Sequence, residues 1–332
     1  MSSSNLAVTA EGLRKRYGDK YALDGFDLTV PKGTVCGLLG PNGAGKTTAV
    51  RILATLLRFD EGRAVVAGHD VGREPAEVRH RIGLVGQNAA VDEVLSGYQN
   101  LVMFGRLYHL GAREAKARAT AMLQQFRLTD TGSKPVKAYS GGMRRRLDLA
   151  ASMILAPTVL FLDEPTVGLD PRSRNEVWQS VRDLVGAGTT VLLTTQYLDE
   201  ADQLASQINV IDTGRVIAEG SPSQLKSLIG GDRIEFVVHD TAQLDAAARA
   251  TARMGTTEPV VDTDRRQVSV QVSDKATALP EAVRLLDEAG IAIDDLALRR
   301  PTLDEVFLHL TGQHAERDED SGQAKTGQEV SA

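Results

Sequence analysis

The sequence predicts an α/β domain with a mainly parallel sheet, followed by a small α+β domain. In the first domain, apolar strand patterns at 158–162, 190–194 and 208–212 are separated by helical patterns, which is typical of parallel strands joined by crossover helices. After Gly231 the patterns run strand, helix, strand, strand, helix, strand. That succession is the order of a ferredoxin-like fold.

The chain is therefore divided into three parts by its pattern and composition. Residues 1–230 are predicted to form the α/β domain and residues 231–312 the C-terminal accessory domain. Residues 313–332 are polar, carry a cluster of acidic side chains and lack apolar periodicity, so we expect a disordered tail.

The elements of the α/β domain follow from runs of apolar residues and from turn signals. An alternating pattern at 22–30 predicts a half-buried strand, and the continuous apolar run at 34–39 predicts a fully buried one. The mostly helical pattern at about 92–153 predicts a helical subdomain inserted in the α/β domain. Further strands are predicted at 6–13, 64–67, 82–85 and 215–219, and helices at 46–57, 98–108, 113–126, from 140 onward and at 222–228.

The accessory domain is assigned in the same way, by alternating apolar residues for strands and amphipathic spacing for helices. Strands are predicted at 233–238, 259–261, 267–272 and 292–298, and helices at 244–254 and 278–289.

Composition describes an ordinary globular protein with 42% hydrophobic and 25% charged residues among 332. Its net charge of −6 argues against a broad nucleic-acid-binding surface. The single cysteine, Cys36, lies in an apolar run and is expected in the core. The longest apolar stretch, 149–162, is broken by Pro157, so no segment is long enough to cross a bilayer. With no signal-like segment at the N-terminus, we expect a cytoplasmic location.

A phosphate-binding loop joins the predicted strand 34–39 to the helix that follows it. Glycines let backbone N–H groups curl around phosphates, Lys46 reaches the β- and γ-phosphates, and Thr47 supplies a hydroxyl to Mg²⁺. Thr48 is placed to bond the α-phosphate. The alternative, a solvated lysine at a helix start, does not explain the glycines. The predicted ATP-binding residues here are Gly40, Pro41, Asn42, Gly43, Ala44, Gly45, Lys46, Thr47 and Thr48.

Two carboxylates, Asp163 and Glu164, end the apolar strand 158–162. Asp163 is expected to reach Mg²⁺ through water, because Mg²⁺ gives up its hydration shell reluctantly. A solvated turn is the alternative for such a pair, and the preceding apolar run argues against it. The histidines are scattered singly and show no metal-ligand spacing.

A third motif, Ser140-Gly141-Gly142 at a helix start, decides the resemblance. Together with the phosphate loop and the acidic strand end, in this order, it resembles the ATP-binding-cassette (ABC) ATPases of the P-loop NTPase fold. The resemblance implies that two copies sandwich two ATP molecules, with each Ser-Gly-Gly facing the ATP of the other copy. It implies that Glu164 orients or deprotonates the attacking water.

The same resemblance assigns further residues. Tyr17 matches the aromatic residue that stacks on adenine, with a tyrosine packed on its own turn as the alternative. Gln87 matches the glutamine that contacts metal and water and couples ATP to the membrane partner. Asp170 matches the loop that crosses the dimer interface beside the hydrolysis site.

Position 196 departs from the usual pattern of the superfamily, because Gln196 stands where most members have histidine. A glutamine can donate to the γ-phosphate but cannot carry positive charge, which by itself suggests slower hydrolysis. The chain resembles one branch of the superfamily, the daunorubicin/doxorubicin-resistance ATP-binding subunits, in which this glutamine is usual. The resemblance lies in the run around Gln196, the Tyr139–Arg146 signature and residues 300–307. A structural cap for the following helix is the competing interpretation of Gln196.

These resemblances imply the ATP-hydrolysing subunit of an exporter, held at the cytoplasmic face of the membrane by a separate permease. Residues 88–92 and the helical insert are the expected docking surface, and an apolar antibiotic or a lipid is the expected substrate. A soluble ABC ATPase acting on ribosomes or nucleic acid, and an importer subunit, are the alternatives. Arg144–Arg146 are more simply explained by the ATP interface or solvation than by nucleic acid. The role of the accessory domain stays open.

Overall fold

The computed structural model describes residues 5–228, 231–273 and 275–310. The chain divides into two compact units between Pro222 and Ser223. The tail predicted at 313–332 lies outside the described residues. None of the described helices is both long and apolar enough to span a bilayer.

In the described part of the first unit there are ten strands and seven complete α-helices, and a short helix lies at the division between the units. In chain order they are β1 (Leu6–Tyr17), β2 (Lys20–Pro31), β3 (Val35–Leu39), α1 (Lys46–Leu53), β4 (Glu61–Val66), β5 (His69–Asp70), α2 (Pro75–Arg81), β6 (Ile82–Val85), α3 (Gly97–Leu107), α4 (Ala112–Gln125), α5 (Gly141–Ser152), β7 (Val159–Asp163), α6 (Pro171–Gly186), β8 (Thr190–Thr195), α7 (Leu198–Leu204), β9 (Gln207–Asp212), β10 (Arg215–Gly220) and α8 (Pro222–Ser227).

The central sheet has the strand order β10-β9-β3-β8-β7-β6. All its pairs are parallel except β9–β10. Every residue of β3, β7 and β8 is buried, which explains the apolar runs of β3 and of β7 before Asp163; in β8 three threonines flank a Val-Leu-Leu run. Because parallel strands end at the same edge of a sheet, the segments after β3, β6, β7 and β8 meet there. Those segments carry the phosphate loop, Gln87, Glu164 and Gln196.

A second, antiparallel sheet has the order β2-β1-β4-β5. Its apolar residues and those of α1 share one core with β3 and β7, with Phe26 and Phe161 fully buried. Helices α3, α4 and α5 lie between β6 and β7, as the predicted insert requires. The α3 helix begins at a capping box in which Ser96 and Gln99 satisfy each other's backbone N–H groups.

Helix α1 is shorter than predicted, since it ends at Leu53 rather than near residue 57. Thr55 has φ +62°, a left-handed conformation that stops a helix. The N–H groups of Leu56 and Leu57 turn back to the carbonyl of Arg51. Apolar periodicity continued past this point and could not show the turn.

The second unit has the predicted ferredoxin-like topology. Its elements are β11 (Arg233–Val238), α9 (Leu244–Thr251), β12 (Val260–Asp262), β13 (Gln267–Gln271), α10 (Lys275–Glu288) and β14 (Ile293–Arg299), and residues 303–310 are helical. The strand order is β12-β13-β11-β14, with every pair antiparallel. Alternate residues of β11, including Phe236, pack with Val268, Val270 and Leu286 in a separate core.

Candidate nucleotide-binding site

The phosphate loop connects β3 to α1 and is fixed by neighbouring backbone. A Cβ on Gly40 would lie 2.2 Å from the carbonyl oxygen of Ile211, and one on Gly45 would lie 2.5 Å from that of Ala22. Gly45 also has φ +111°. Both positions therefore require glycine because of packing inside the protein, whereas the sequence suggested phosphate approach alone.

The middle of the loop faces outward. Gly43 has φ +84° and no atom near the position of a Cβ, and Asn42 is exposed. Ala44 is buried, and its carbonyl accepts a 2.9 Å hydrogen bond from the N–H of Gly214. Thr48 is half-buried in the first turn of α1. The loop is thus supported from the protein side and open on the other.

The Lys46 ammonium group is buried and surrounded by oxygen atoms. Its Nζ donates to the carbonyls of Gly40, at 2.8 Å, and Pro41, at 3.1 Å, and lies 3.7 Å from Oε1 of Glu164. Burial lowers the pKa of Lys46, and the negative charges of Glu164 and Asp163 oppose that shift. A buried cation held by neutral carbonyls is well placed to exchange them for anionic phosphate oxygens.

Thr47 and Asp163 meet at the end of β7. Thr47 Oγ1 donates to Asp163 Oδ1 at 3.4 Å, and Thr194 Oγ1 donates to the same carboxylate oxygen at 2.5 Å. Asp163 is 5% exposed. The described residues contain no group of three or more acidic, histidine or cysteine side chains that could hold a metal. A hydroxyl beside one carboxylate instead fits Mg²⁺, which takes oxygen ligands and needs few of them from the protein.

Glu164 adopts a left-handed backbone conformation, with φ +50°. Such a conformation is strained for a residue with a side chain and persists only where the surroundings enforce it. Here the N–H of Glu164 donates to the carbonyl of Thr194 at 3.1 Å and to its Oγ1 at 3.2 Å. The side-chain Oε2 accepts a 3.4 Å hydrogen bond from Nε2 of Gln87. The structure thereby joins Gln87, Glu164 and Lys46 in one cluster.

Gly142 and Asp170 form a second group around Ser173, and Ser140 lies two residues before Gly142 in the chain. Ser140 is the exposed N-cap of α5, and its Oγ accepts from the N–H of Met143. Asp170 caps α6 by accepting from the N–H and the hydroxyl of Ser173, which lower its pKa. A Cβ on Gly142 would lie 2.6 Å from Ser173 Oγ.

Gly141 completes this group and is exposed; a Cβ there would approach a side-chain methyl of Leu169 at 3.2 Å. Within the described chain, no hydrogen bond joins Ser140, Gly141 or Asp170 to Lys46. Apart from Tyr17 and Gln196, the predicted site residues therefore lie in two groups of one copy.

Tyr17 and Gln196 are both exposed and stand apart from these contacts. Tyr17 is 52% exposed, and Lys15 Nζ lies 5.9 Å from its ring centroid. Gln196 follows β8, and no hydrogen bond joins its side chain to another described residue. The N-cap of α7 is Tyr197, which makes no side-chain capping bond. The helix-cap interpretation of Gln196 therefore finds no support in the geometry.

Arg145 is a site residue whose function the sequence did not reveal. Its side chain is 6% exposed and ion-paired with Asp148 at 3.4 Å. Its guanidinium donates to four carbonyl oxygens, those of Pro165 and Gly86 at 2.6 Å, Glu164 at 3.2 Å and Asp163 at 3.4 Å. Arg145 thus ties the backbone before Gln87 to the backbone around Glu164. Helical spacing places it one turn before buried Leu149, which is the only signal in the sequence.

The neighbouring arginines are bound to other parts of the fold. Arg144 pairs with Glu93 at 2.9 Å, and Arg146 pairs with Glu176 at 3.1 Å and donates to the carbonyl of Phe126. Each of the three guanidinium groups has partners within the protein, which accounts for this basic run without a nucleic acid.

Comparison with known proteins decides the family. The family model described as "ABC transporter" matches residues 23–167, and the model for the "ATP-binding protein DrrA1-3-like, C-terminal domain" matches residues 220–311. Daunorubicin resistance ATP-binding protein DrrA2 of Streptomyces coeruleorubidus is 64% identical over 94% of this chain and 97% of its own. The chain belongs to the daunorubicin-resistance ATP-binding proteins of the ABC family. It is an ABC ATPase, and the resemblance seen in the sequence is confirmed.

More distant relatives and solved structures agree. Linearmycin resistance ATP-binding protein LnrL of Bacillus subtilis is 35% identical over 92% of this chain and 98% of its own. An ATP-binding cassette of an ABC transporter, solved in its ADP conformation, is 25% identical over 65% of this chain and 91% of its own, with a TM-score of 0.60. The predicted P-loop ATPase fold with an α+β C-terminal unit is confirmed.

Proposed function

We propose that this ABC ATPase binds ATP with Mg²⁺ at the phosphate loop, hydrolyses it as a pair of copies, and drives export through a separate membrane subunit. The observation that carries the proposal is the cluster at the carboxyl ends of the parallel strands. There Glu164 contacts Gln87 at 3.4 Å and Lys46 at 3.7 Å, and the adjoining residues Thr47 and Asp163 contact each other at 3.4 Å. These residues supply a cation, two metal-facing oxygens, a carboxylate and an amide in one place.

Each side chain has a role that follows from its surroundings. Lys46 leaves the carbonyls of Gly40 and Pro41 and neutralises the β- and γ-phosphates. Thr47 and Asp163 hold Mg²⁺, which supplies charge neutralisation at the phosphates when bound. Glu164, held by its backbone and by Gln87, accepts a hydrogen bond from the attacking water and aligns it.

A second copy completes the site. Ser140 and Gly141 are exposed at the start of α5, where N–H groups and the helix dipole favour an anion. In one copy they have no hydrogen bond to Lys46, which fits a role toward the ATP of the partner copy. Asp170 and Gln196 are also exposed. We assign Asp170 to the interface, Gln196 to the γ-phosphate and Tyr17 to adenine.

The substrate follows from the relatives. Proteins 64% and 51% identical to this chain are named for resistance to daunorubicin, and one 35% identical is named for resistance to linearmycin. We assign to this chain the export of an apolar antibiotic of the anthracycline type from the cytoplasmic face of the membrane. The helical insert and residues 88–92 are the assigned docking surface for the permease.

Hydrolysis by the purified chain tests the site. Glu164→Gln keeps the size of the side chain and removes its charge, so it should bind ATP normally and slow hydrolysis by at least about a hundredfold. Lys46→Ala should weaken ATP binding itself. Glu114→Gln, on the exposed face of α4, is the matched control and should leave both unchanged. Wild-type turnover by Glu164→Gln would remove Glu164 from the mechanism.

The composite site and the transport are tested separately. Ser140→Arg should bind ATP but not hydrolyse it, and mixing it with Lys46→Ala should restore at most one complete site per pair. Inverted vesicles carrying the co-purifying membrane subunit should accumulate daunorubicin with ATP and wild-type protein, but not with Glu164→Gln. Accumulation that is equal with both proteins would refute the coupling.

A further inference from the structure

Glu200 lies at the centre of a buried hydrogen-bond cluster behind the candidate site. It is 0% exposed, although it is a glutamate in the first turn of α7. Its Oε1 accepts from Thr166 Oγ1 at 2.9 Å and from Trp178 Nε1 at 3.0 Å. Its Oε2 is buried and has no hydrogen-bond partner among the described residues. A fully buried acid is costly, so its position calls for an explanation.

The cluster connects three segments that each carry a candidate site residue. Thr166 lies two residues after Glu164, and Trp178 belongs to α6, which begins at Asp170. Glu200 itself lies four residues after Gln196. One carboxylate oxygen therefore fixes the distances between the loop after β7, the helix after Asp170 and the helix after Gln196.

Thr166 belongs to the turn after Glu164, where the backbone is strained. Glu164 has φ +50°, and the bond from the N–H of Val167 back to its carbonyl is long, at 3.5 Å. Local backbone bonds thus restrain this strained turn weakly. Thr166 is 1% exposed, and the hydrogen bond from its hydroxyl to Glu200 restrains the turn.

Arg145 also holds this loop, through the carbonyls of Asp163, Glu164 and Pro165. Burial raises the pKa of Glu200, and the nearby polar side chains of Thr195, Trp178 and Thr166 oppose that shift. The negative charge of Glu200 in turn offsets the effect of burial on the pKa of Arg145. The loop that carries Glu164 is thereby held by two buried residues, Arg145 and Glu200.

We propose that Glu200 is a positioning residue for ATP hydrolysis, which fixes the turn after Glu164 relative to the helices that follow Asp170 and Gln196. This inference rests on the proposed role of Glu164. Glu200 acts through Thr166 and Trp178 and contacts no nucleotide. Its removal should therefore lower kcat while leaving the KM for ATP nearly unchanged.

The principal test compares Glu200→Ala with Glu200→Gln. The alanine variant should lower kcat by about 10- to 100-fold, because a misplaced catalytic group costs rate without weakening binding. The glutamine variant keeps an acceptor for Thr166 and Trp178 and should stay within about threefold of wild type. Trp178 is the single tryptophan of the chain, so its fluorescence should shift in Glu200→Ala and be retained in Glu200→Gln.

If Glu200→Ala does not fold, a comparison of Thr166→Val with Thr251→Val tests the positioning role of Glu200. Thr166→Val removes only the hydroxyl bond to Glu200 and should lower kcat about three- to tenfold with unchanged KM. Thr251→Val is the control, since Thr251 is equally buried and bonds only to carbonyls within α9. Its kcat should equal that of the wild type.

The inference is overturned if folded Glu200→Ala, or Thr166→Val, has the kcat of Thr251→Val. It is also overturned if Glu200→Gln is as slow as Glu200→Ala. Glu164→Gln, assayed in parallel, separates these outcomes from a failure of the proposed function. If Glu164→Gln turns over ATP normally, the function is wrong; if it is inactive while Glu200→Ala is fast, only the positioning role fails.

Discussion

Arg145→Ala should destabilise the first unit far more than a change at the adjacent arginine. The substitution removes five hydrogen bonds, four to carbonyls and one to Asp148. It also leaves the buried carboxylate of Asp148 with only the N–H of Ala90 as a hydrogen-bond partner. Breaking a buried ion pair by removing one member costs about 3–5 kcal/mol. For a unit of this size that corresponds to a fall in Tm of about 6–20 °C.

Arg144→Ala is the control on the same helix turn. The Arg144 side chain is 36% exposed and pairs with an exposed Glu93, so its loss should cost at most about 1 kcal/mol. Thermal unfolding of wild type and both variants, followed by circular dichroism, measures the difference. Equal Tm values for the two variants would refute the inference that Arg145 fastens these loops.

The pH dependence gives an independent check on Arg145→Ala. Burial raises the pKa of Asp148, and Arg145 opposes that shift, so the pKa should rise further in the variant. An acid whose folded pKa is raised favours the folded state at low pH, and that advantage is lost as the pH rises through the folded pKa. The Tm gap between wild type and Arg145→Ala should therefore be smaller at pH 5 than at pH 8.

Three further outcomes are expected. Cys36, whose burial raises its pKa to about 12, should resist iodoacetamide at pH 8 in the native protein and react fully in urea, as counted by mass spectrometry. Gln196→Ala should slow ATP turnover by about ten- to a hundredfold at unchanged Tm, whereas a lower Tm with wild-type turnover would favour a structural role. Gly142→Ala should lose about 1–3 kcal/mol of stability through overlap with Ser173, and adding Ser173→Gly should restore part of it in chemical denaturation.

The sequence predicted the candidate site best where the functional residues form a contiguous motif. The phosphate loop, Asp163 and Glu164 could be placed at strand ends because buried parallel strands are unbroken apolar runs. Gln87 was assigned by resemblance, and its contact with Glu164 depends on the pairing of β6 with β7, which the sequence did not predict. The ferredoxin-like order of the second unit was likewise readable from alternating residues in β11 and β13.

Arg145 and Glu200, which hold the loops of the candidate site in place, could not be identified from a contiguous motif. Arg145 bonds to carbonyls 18 to 59 positions away, and Glu200 bonds to side chains 22 and 34 positions away. The local apolar periodicity of the sequence predicts only that such residues lie in a helix and does not predict their distant partners. Whether a charged side chain turns outward to solvent or inward to a loop is decided by tertiary packing, which no short pattern contains.

The turn between β9 and β10 gives the phosphate loop a dependence that its motif does not reveal. Gly214 donates to the carbonyl of Ala44, and the carbonyl of Ile211 occupies the space where any side chain at residue 40 would lie. A substitution that moves the backbone of the 211–214 turn should therefore also displace the phosphate loop. The two segments are structurally coupled although they lie more than 160 positions apart in the chain. A mutation in either one should be compensated in the other.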